Sequence, residues 1–429
     1  MITTSEWVAH PEMIASIRAA IAARRRSRCP GSMTATVQAQ PSDTGRGRPQ
    51  IAKERMGRLS RAQQQEVTRR KVLDAAEAEF VQRGFRGATV DAIAERAELT
   101  RGAVYSNFPG KRALYLEVLA RGAELAPPPP PREPGRTPAA ALGVFAATWA
   151  EQLPRSADYD YDYDDAQLSS PVISIDLIPQ IQTTPRLRRA FSQLVKLDAI
   201  LLGLAVEGLA EDGATTRARS IGNAESVLTI LYGATQLSFA AADFVDPGRV
   251  VALCEQVAAL DPGPREPGRV AAPPPRPERF HPHFSPPECT DMVRRAAARF
   301  DDDRMIVVLG MHRIATVEHV LAVWPRASAL TVVLVTDDSS GELIPLARLA
   351  LADLSRSLRH AFPPAALPRV EVVVDEDGVL AAACGATPVH NDTEYALLLT
   401  DGTPTARAVG TGAGRVLAER AEVASRADR

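Results

Sequence analysis

Two proline-rich stretches limit how this chain can fold, because proline lacks a backbone N–H and cannot continue a helix or a central strand. The first reads APPPPPREPGRTP over residues 126–138, and the second reads PGPREPGRVAAPPPRPERFHPHFSPP over 262–287. Both predict extended, semi-rigid spacers. They divide the 429 residues into parts that we expect to pack separately, in line with a length that suits two or three domains.

The spacers and a change in hydrophobic periodicity predict six segments. They are a disordered basic arm (1–62), a helix-turn-helix domain (63–120), a Pro-rich linker (121–138), an all-α domain (139–261), a second Pro-rich linker (262–290) and an α/β domain (291–429). The arm is rich in Arg, Gln, Ser, Thr, Gly and Pro with weak periodicity, which is typical of disorder.

Charge is unevenly distributed, although the whole chain carries a net charge of −2. Residues 1–120 contain 20 Lys and Arg residues against 12 Asp and Glu residues, so this part predicts a polyanionic partner. Four widely spaced cysteines without a CxxC pair indicate neither a disulfide framework nor a zinc finger, and they suit a reducing cytoplasm. The longest apolar run, residues 199–210, is short and contains Glu207, so we expect no membrane span.

Short helices separated by tight turns are predicted in the basic part. The first lies within residues 69–83 and ends before Gly84, and Thr89 and Thr100 are the predicted N-caps of the next two. A fourth helix begins near Lys111. This spacing predicts a helix-turn-helix, in which the second helix of the pair enters a DNA major groove.

The predicted recognition helix begins with very little side-chain bulk. Gly102 and Ala103 would let its backbone approach the base edges, and Arg101 offers a forked donor for guanine. Besides its capping role, Thr100 could reach a phosphate or a base edge, and Tyr105 offers a hydroxyl to a phosphate.

Two other basic features suggest contacts with a nucleic-acid backbone. Lys111 lies in the first turn of the fourth helix, where the helix macrodipole disfavours a cation, so a bound phosphate would reverse that penalty. The run GRGRP (45–49) resembles an AT-hook core, with Arg46 and Arg48 around a glycine thin enough for a minor groove. Its alternative is an unspecific basic tail that adds salt-dependent affinity.

The run VLDAAEAEFVQRGFRGATVDAIAERAELTRGAVYSNFPGKRALYLEVL, residues 72–119, resembles the DNA-binding domain of TetR-type transcriptional regulators. The resemblance implies a dimeric repressor whose helical C-terminal part binds a small-molecule effector that lowers affinity for a pseudo-palindromic operator. It implies phosphate contacts from Thr89, Tyr105, Asn107 and Lys111, and a base-reading set that consists of Thr100, Arg101, Gly102, Ala103 and Ser106. The chain departs from the family pattern at Glu98, where Gly is usual, and at Asn107, where His is common.

The middle part has a helical pattern at about 139–153, 166–178, 185–210, 215–243 and 247–260. The broad apolar face of 219–243 predicts pairing with the same helix of a second chain, so we expect a homodimer with a four-helix seam completed by 247–260. Candidate effector-pocket residues are Phe145, Trp149, Ile173, Ile175, Leu177 and Phe191, and an ordinary core explains them as well. The acidic run DYDYDYDD (158–165) is more typical of a solvated loop than of a cation site.

Beyond residue 291, β-branched runs alternate with helical segments, which predicts an α/β layer with a five-stranded sheet. The predicted strands are 305–310, 329–336, 369–375, 395–401 and 405–410, and the predicted helices are 316–323, 342–361, 377–383 and 413–425. This order is similar to a thioredoxin-like fold, with Thr387-Pro388 as the counterpart of its cis-proline. The chain reads GMHRIATVEH where that fold carries CxxC, so we expect no disulfide exchange.

Other chemistry in the α/β part has weak support. A lone redox-sensing thiol at Cys384 is less typical than a buried small hydrophobe, and His281, His283 and Cys289 lack a fourth metal ligand. We therefore expect no metal, no cofactor and no enzyme activity, and a silent α/β domain that acts as a sensor or docking module. The alternative is a thioredoxin-like redox or stress enzyme fused to a DNA-binding tether.

Overall fold

The N-terminal part is built from helices, two of which begin after the predicted caps Thr89 and Thr100, whereas the first begins at Arg61, before the predicted residue 69. This computed structural model describes residues 60–153, 176–210, 215–261, 263, 275–281, 283–326 and 328–427. The first four helices of the described residues are α1 (Arg61–Gly87), α2 (Val90–Arg96), α3 (Arg101–Asn107) and α4 (Lys111–Leu125). The basic arm with Arg46 and Arg48, the acidic run 158–165, Ile173 and Ile175 lie outside the described residues.

The helix α1 changes direction at Gly84, whose φ of 63° lies in the left-handed region that favours glycine. The predicted end at Arg83 is therefore a kink, after which the helical segment runs on to Gly87. Beyond the kink, the ring of Phe85 lies 6.3 Å from the ring of Phe80 and 4.9 Å from the ring of Tyr115, measured between centroids. These aromatic contacts pack α1 against α4.

The middle part contains α5 (Pro138–Ala150), α6 (Leu177–Thr183), α7 (Pro185–Glu207), α8 (Arg217–Ala240) and α9 (Pro247–Val257). The helical pattern at 166–178 stops before Pro179, whereas in the structure Pro179 lies in the first turn of α6. Proline is tolerated there because the first N–H groups of a helix have no partner within the helix.

The C-terminal part is a layered α/β structure around a six-stranded sheet. Its strands are β1 (Glu278–Arg279), β2 (Thr290–Asp291), β3 (Ala296–Ala297), β4 (Arg304–Gly310), β5 (Ala329–Val335), β6 (Val370–Val374), β7 (Glu394–Thr400) and β8 (Thr403–Val409). Its helices are α10 (Val317–Leu321), α11 (Leu343–Ala361), α12 (Val379–Ala383) and α13 (Ala413–Ala427).

The sheet has the order β1-β8-β7-β4-β5-β6, and β2 and β3 form a separate hairpin. The strands β4, β5 and β6 are parallel, whereas β7 runs antiparallel to both β4 and β8. All five predicted strands are present, and β1 adds a sixth at the edge. The thioredoxin-like fold is not confirmed by this arrangement and stays a prediction.

The predicted second linker is not a spacer in the residues that the structure describes, 275–281 and 283–290. There, β1 pairs with β8 at the edge of the sheet, where missing N–H donors are tolerated. Phe280, Phe284 and Cys289 pack against one face of the sheet with the buried side chains of β4 to β7. The prolines alone predicted a linker, whereas the aromatic side chains between them pack against the sheet.

The helix α11 connects the three predicted parts. It packs against α4 of the N-terminal part and against α5 and α7 of the middle part. The first proline-rich segment also docks on it, because Gly135 N donates to Ala361 O at 2.9 Å. One hydrophobic cluster extends from α1 to α13, so the parts do not pack separately.

Among the described residues, no helix is both long enough and apolar enough to cross a bilayer.

Phe284→Ala tests whether the proline-rich segment is part of the folded layer. The Phe284 ring meets the Phe300 ring edge-on, with centroids 6.1 Å apart, so we expect the free energy of unfolding to fall by about 1–2 kcal/mol. Chemical denaturation measures the change. Leu125→Ala is the control, because Leu125 is 72% exposed, and it should cost less than about 0.5 kcal/mol. Equal effects of the two variants would contradict the packed arrangement.

Candidate nucleic-acid interface

Two threonines fix the helix-turn-helix geometry of α2 and α3. Thr89 Oγ1 accepts a hydrogen bond from Ala92 N at 3.2 Å, and Thr100 Oγ1 accepts one from Ala103 N at the same distance. Both are N-cap contacts, as predicted. The two hydroxyls therefore already have a structural role, and either could contact DNA only in addition to it.

The turn between these helices passes through a left-handed residue that is not glycine. Glu98 has a φ of 57°, a conformation that costs a residue with a side chain about 1–2 kcal/mol. The turn is closed by Leu99 N, which donates to Ala94 O at 2.9 Å. Buried Ile93 on α2 and Val104 on α3 belong to the hydrophobic cluster beneath the turn and hold the pair in place.

The outward face of α3 carries an arginine and a tyrosine. Arg101 Nη1 lies 3.3 Å from Asp91 Oδ1, and its guanidinium carbon lies 5.5 Å from the centroid of the Tyr105 ring. The hydrogen bond to Tyr105, together with the charge of Asp91, raises the pKa of Arg101. Because both partners of the ion pair are exposed, the pair opens at little cost and the guanidinium can turn to another acceptor.

Gly102 is exposed on α3 and has no close neighbour in the protein. A Cβ added at this position would meet only Thr100 Oγ1, at 3.8 Å, which is an ordinary contact. The fold itself therefore does not require glycine here, and a missing side chain at this point leaves room for something outside the chain.

Ser106 and Asn107 make local contacts. Ser106 Oγ and Asn107 Nδ2 both donate to the carbonyl oxygen of Ala103, at 2.9 and 2.8 Å. Ser106 stays exposed, whereas Asn107 and Ala103 are half-buried. The structure thus brings Arg101, Gly102, Tyr105 and Ser106 to one exposed surface of α3.

Lys111 makes contacts inside the protein that its position in the sequence did not predict. Its Nζ donates to the carbonyl oxygens of Phe85 at 2.7 Å and Ala88 at 3.0 Å, and it lies 4.5 Å from the centroid of the Phe85 ring. Burial lowers the pKa of this ammonium group. The side chain therefore clamps the end of α1 to the start of α4, and a phosphate contact would have to use its remaining donor. Sequence spacing did not indicate this role, because the partners lie 23 and 26 residues away.

The predicted effector-pocket residues that the structure describes, Phe145, Trp149, Leu177 and Phe191, lie in the helical core. Phe145 and Leu177 are fully buried, and the rings of Trp149 and Phe191 lie 5.2 and 6.1 Å from the ring of Tyr232. These positions fit the alternative interpretation as core. An open groove of about 1280 Å³ lies elsewhere, between α8 and α10, and its lining includes Ile221, Ile230, Leu321 and Trp324. No local pattern indicated this groove, because its two walls are far apart in the chain.

The thiol of Cys384 does not suit redox chemistry. Cys384 is fully buried, and burial raises its pKa to about 12, so it carries almost no thiolate at neutral pH. Within the described ranges, no three His, Cys, Asp or Glu side chains gather in a way that suits a metal ion. His281 Nδ1 lies 3.0 Å from Pro404 O.

Comparison with known proteins assigns the helix-turn-helix. Residues 72–118 match the family model of bacterial regulatory proteins of the tetR family. These residues form a TetR-family domain. The match covers the second half of α1, both helices of the pair and the first half of α4, and it confirms the resemblance noted in the sequence.

Two curated relatives share this TetR-type domain. One is the HTH-type transcriptional regulator SrpR of Pseudomonas putida, which is 48% identical over 59 residues, 14% of this chain and 28% of the relative. The other is an uncharacterized HTH-type transcriptional regulator, TtgW, also of Pseudomonas putida, which is 46% identical over 65 residues, 15% of this chain and 48% of the relative. The similarity thus spans less than half the length of each, and it lies in chains described as transcriptional regulators.

Lys111→Met tests the clamp inside the TetR-type domain. The variant keeps most of the side-chain volume but leaves the carbonyl oxygens of Phe85 and Ala88 without their donor, so the free energy of unfolding should fall by about 1–3 kcal/mol. Thermal and urea denaturation measure it. Lys71→Met on the exposed side of α1 is the control and should change stability by less than about 0.5 kcal/mol. An unchanged midpoint for Lys111→Met would contradict a structural role.

Proposed function

We propose that the chain is a ligand-responsive transcriptional regulator, acting as a repressor, that binds a pseudo-palindromic DNA operator as a homodimer. The TetR-type domain reads the operator with α3 in the major groove. The remainder of the chain receives the effector and pairs the two copies. The α/β part has no enzymatic role in this proposal, and the protein works in the cytoplasm.

The observation that carries the proposal is the slim, exposed start of α3. Arg101 and Tyr105 are exposed on it. Gly102 has no close neighbour in the protein, so its missing side chain leaves open space beside the helix. A helix that enters a groove needs this combination of a close backbone approach and a long forked donor. A helical triplet that served only for packing would have no need of it.

An uncharged stretch of α8 and the exposed apolar side chains near it support the homodimer. Residues 226–242 contain no charged side chain. Leu237, Phe244 and Leu253 are 45%, 76% and 50% exposed, so large apolar side chains face solvent on both helices and in the turn between them. Exposed patches of this kind mark interaction sites, and a two-fold axis that pairs identical helices covers both copies at once.

The thioredoxin-like enzyme alternative has no supporting observation. It would need a reactive thiolate, whereas burial raises the pKa of Cys384 to about 12 and that of Cys289 above its usual value.

Arg101→Ala tests the assignment of base reading. After the operator is identified by selecting bound genomic fragments, the variant should lose discrimination at one base pair by roughly tenfold while its affinity for unrelated DNA stays close to that of the wild type. Tyr105→Phe is the matched comparison, because loss of a phosphate contact should weaken all sequences alike. Binding curves at several salt concentrations measure both. Wild-type specificity in Arg101→Ala would refute the assignment.

Leu237→Glu tests the dimer surface. A carboxylate at this apolar position should be costly to bury between two chains, so the variant should sediment as a monomer at concentrations where the wild type is dimeric. Its operator affinity should fall in parallel. Val379→Glu, at a position 53% exposed on α12, is the control and should leave the sedimentation unchanged. If the wild type is itself a monomer, this part of the proposal fails.

A further inference from the structure

A second, smaller cavity lies on the opposite side of the TetR-type domain from α3. Its volume is about 280 Å³. It is bounded by the C-terminal end of α4, the first proline-rich segment and α11, and it opens to solvent, where Arg295 and Arg359 are exposed. Pro128 and Pro129 form one wall. Arg356, Arg359 and His360 from α11 line it together with Arg295 from the β2–β3 hairpin. We call this space the basic cavity.

The lining of the basic cavity has an excess of positive charge. It contains three guanidinium groups and one imidazole, but its one carboxylate, Glu124, is already bound by Arg348 through two hydrogen bonds of 3.0 and 2.7 Å. Within the described part of the chain, neither Arg295 nor Arg359 has a carboxylate oxygen within 4 Å. Arg356 has a single distant one, Asp353 Oδ1, at 3.7 Å from its Nη2.

Two buried nitrogen atoms in the basic cavity are not used by the described part of the protein, whereas Arg359 Nη1 donates to Arg294 O at 3.4 Å. The Nε atom of Arg356 and the Nε2 atom of His360 are both buried, and neither has a hydrogen-bond partner among the described residues. Burial, together with the neighbouring charge of Arg295, lowers the pKa of Arg359. Buried donors in natural proteins usually have partners, so unpaired ones beside repelling cations indicate a missing acceptor.

One of the arginines that line the basic cavity, Arg295, has a strained backbone conformation. Arg295 has a φ of 56°, a left-handed conformation that is rare for a residue with a side chain. Residues held in such conformations concentrate at ligand and active sites. The hairpin therefore places a strained arginine next to two others, where glycine would meet the backbone requirement more easily.

We propose that the basic cavity binds a small dianion, of the phosphate monoester or dicarboxylate class, whose oxygens accept from Arg295, Arg356 and Arg359. Guanidinium groups pair bidentately with both classes of anion. The volume limits the ligand to a few heavy atoms beyond its charged groups, and the prolines and alanines of the wall accept a short apolar body.

The ligand of the basic cavity is not an operator phosphate. The cavity contacts Ala123 and Glu124 near the end of α4, whereas α3 precedes the start of that helix. A helix of 15 residues is about 22 Å long, so the two sites lie at opposite ends of α4. The proposed anion site therefore stands independently of the proposed DNA contacts.

Isothermal titration of the full chain, without DNA and at constant ionic strength, tests the proposal. Inorganic phosphate and succinate are the probes, and we expect one of them to bind with one site per chain. Arg359→Gln should weaken that binding by about tenfold or more, because one charge-assisted pair is lost. Arg249→Gln, at a side chain 87% exposed on α9, is the matched control and should bind like the wild type.

Thermal melting separates loss of the site from misfolding. Arg359 is repelled by Arg295, so Arg359→Gln should melt at the wild-type temperature or above it in the absence of anion, and it should lose the stabilisation that the bound probe gives the wild type. Binding of phosphate but not succinate assigns the phosphate class, and the reverse assigns the dicarboxylate class. If neither probe binds, or if Arg359→Gln binds as tightly as the wild type, the basic cavity is not an anion site.

Discussion

The placement of the TetR-type domain depends on the ion pairs that Arg348 makes with two glutamates of α4. From α11, Arg348 donates to both carboxylate oxygens of Glu124 and to Glu117 at 3.1 Å, and all three side chains are largely buried. Arg112 at the start of α4 makes a second link, donating to Glu342 at 2.8 Å, and Arg186 of α7 donates to the other oxygen of the same carboxylate at 2.6 Å. Removing one partner from such a network leaves buried charges unpaired, which is far more costly than losing a surface ion pair.

These links change the role of the α/β part. The two proline-rich stretches suggested a module tethered to a DNA reader, yet α4 and α11 lie side by side and are joined near both ends of α4. An element packed and ion-paired in this way moves with its neighbour. In the proposed dimer, the separation of the two α3 helices would then be set by the whole body of each chain, including the sheet, and a change at α11 would be transmitted directly to α4.

Local signals in the sequence predicted the elements well, whereas contacts between distant segments could not be predicted. Thr89 and Thr100 were assigned as caps because a cap and its partner lie three residues apart, and the strands from β4 to β8 follow from their β-branched runs. The sequence predicted a phosphate contact for Lys111, because no local pattern indicates that its partners are carbonyl groups at the end of α1. The same limit explains the linker interpretation of 275–290, where only the finished sheet shows what Phe280 and Phe284 cover.

The arginine that pairs with α4 and two arginines of the basic cavity lie on one helix, α11. Ala352, Arg356 and Arg359 follow each other at spacings of four and three residues, so they share a face toward the basic cavity, and Arg348 lies one turn earlier on the same side. The guanidinium that holds α4 and those of Arg356 and Arg359 therefore lie along one side of α11, with Ala352 between them. An anion in the cavity would reduce the repulsion between Arg295 and Arg359, while Arg348 stays paired with Glu117, Glu124 and Glu376. Because Glu124 both lines the cavity and pairs with Arg348, the packing of α4 on α11, and with it the position of α3, would be coupled to that site.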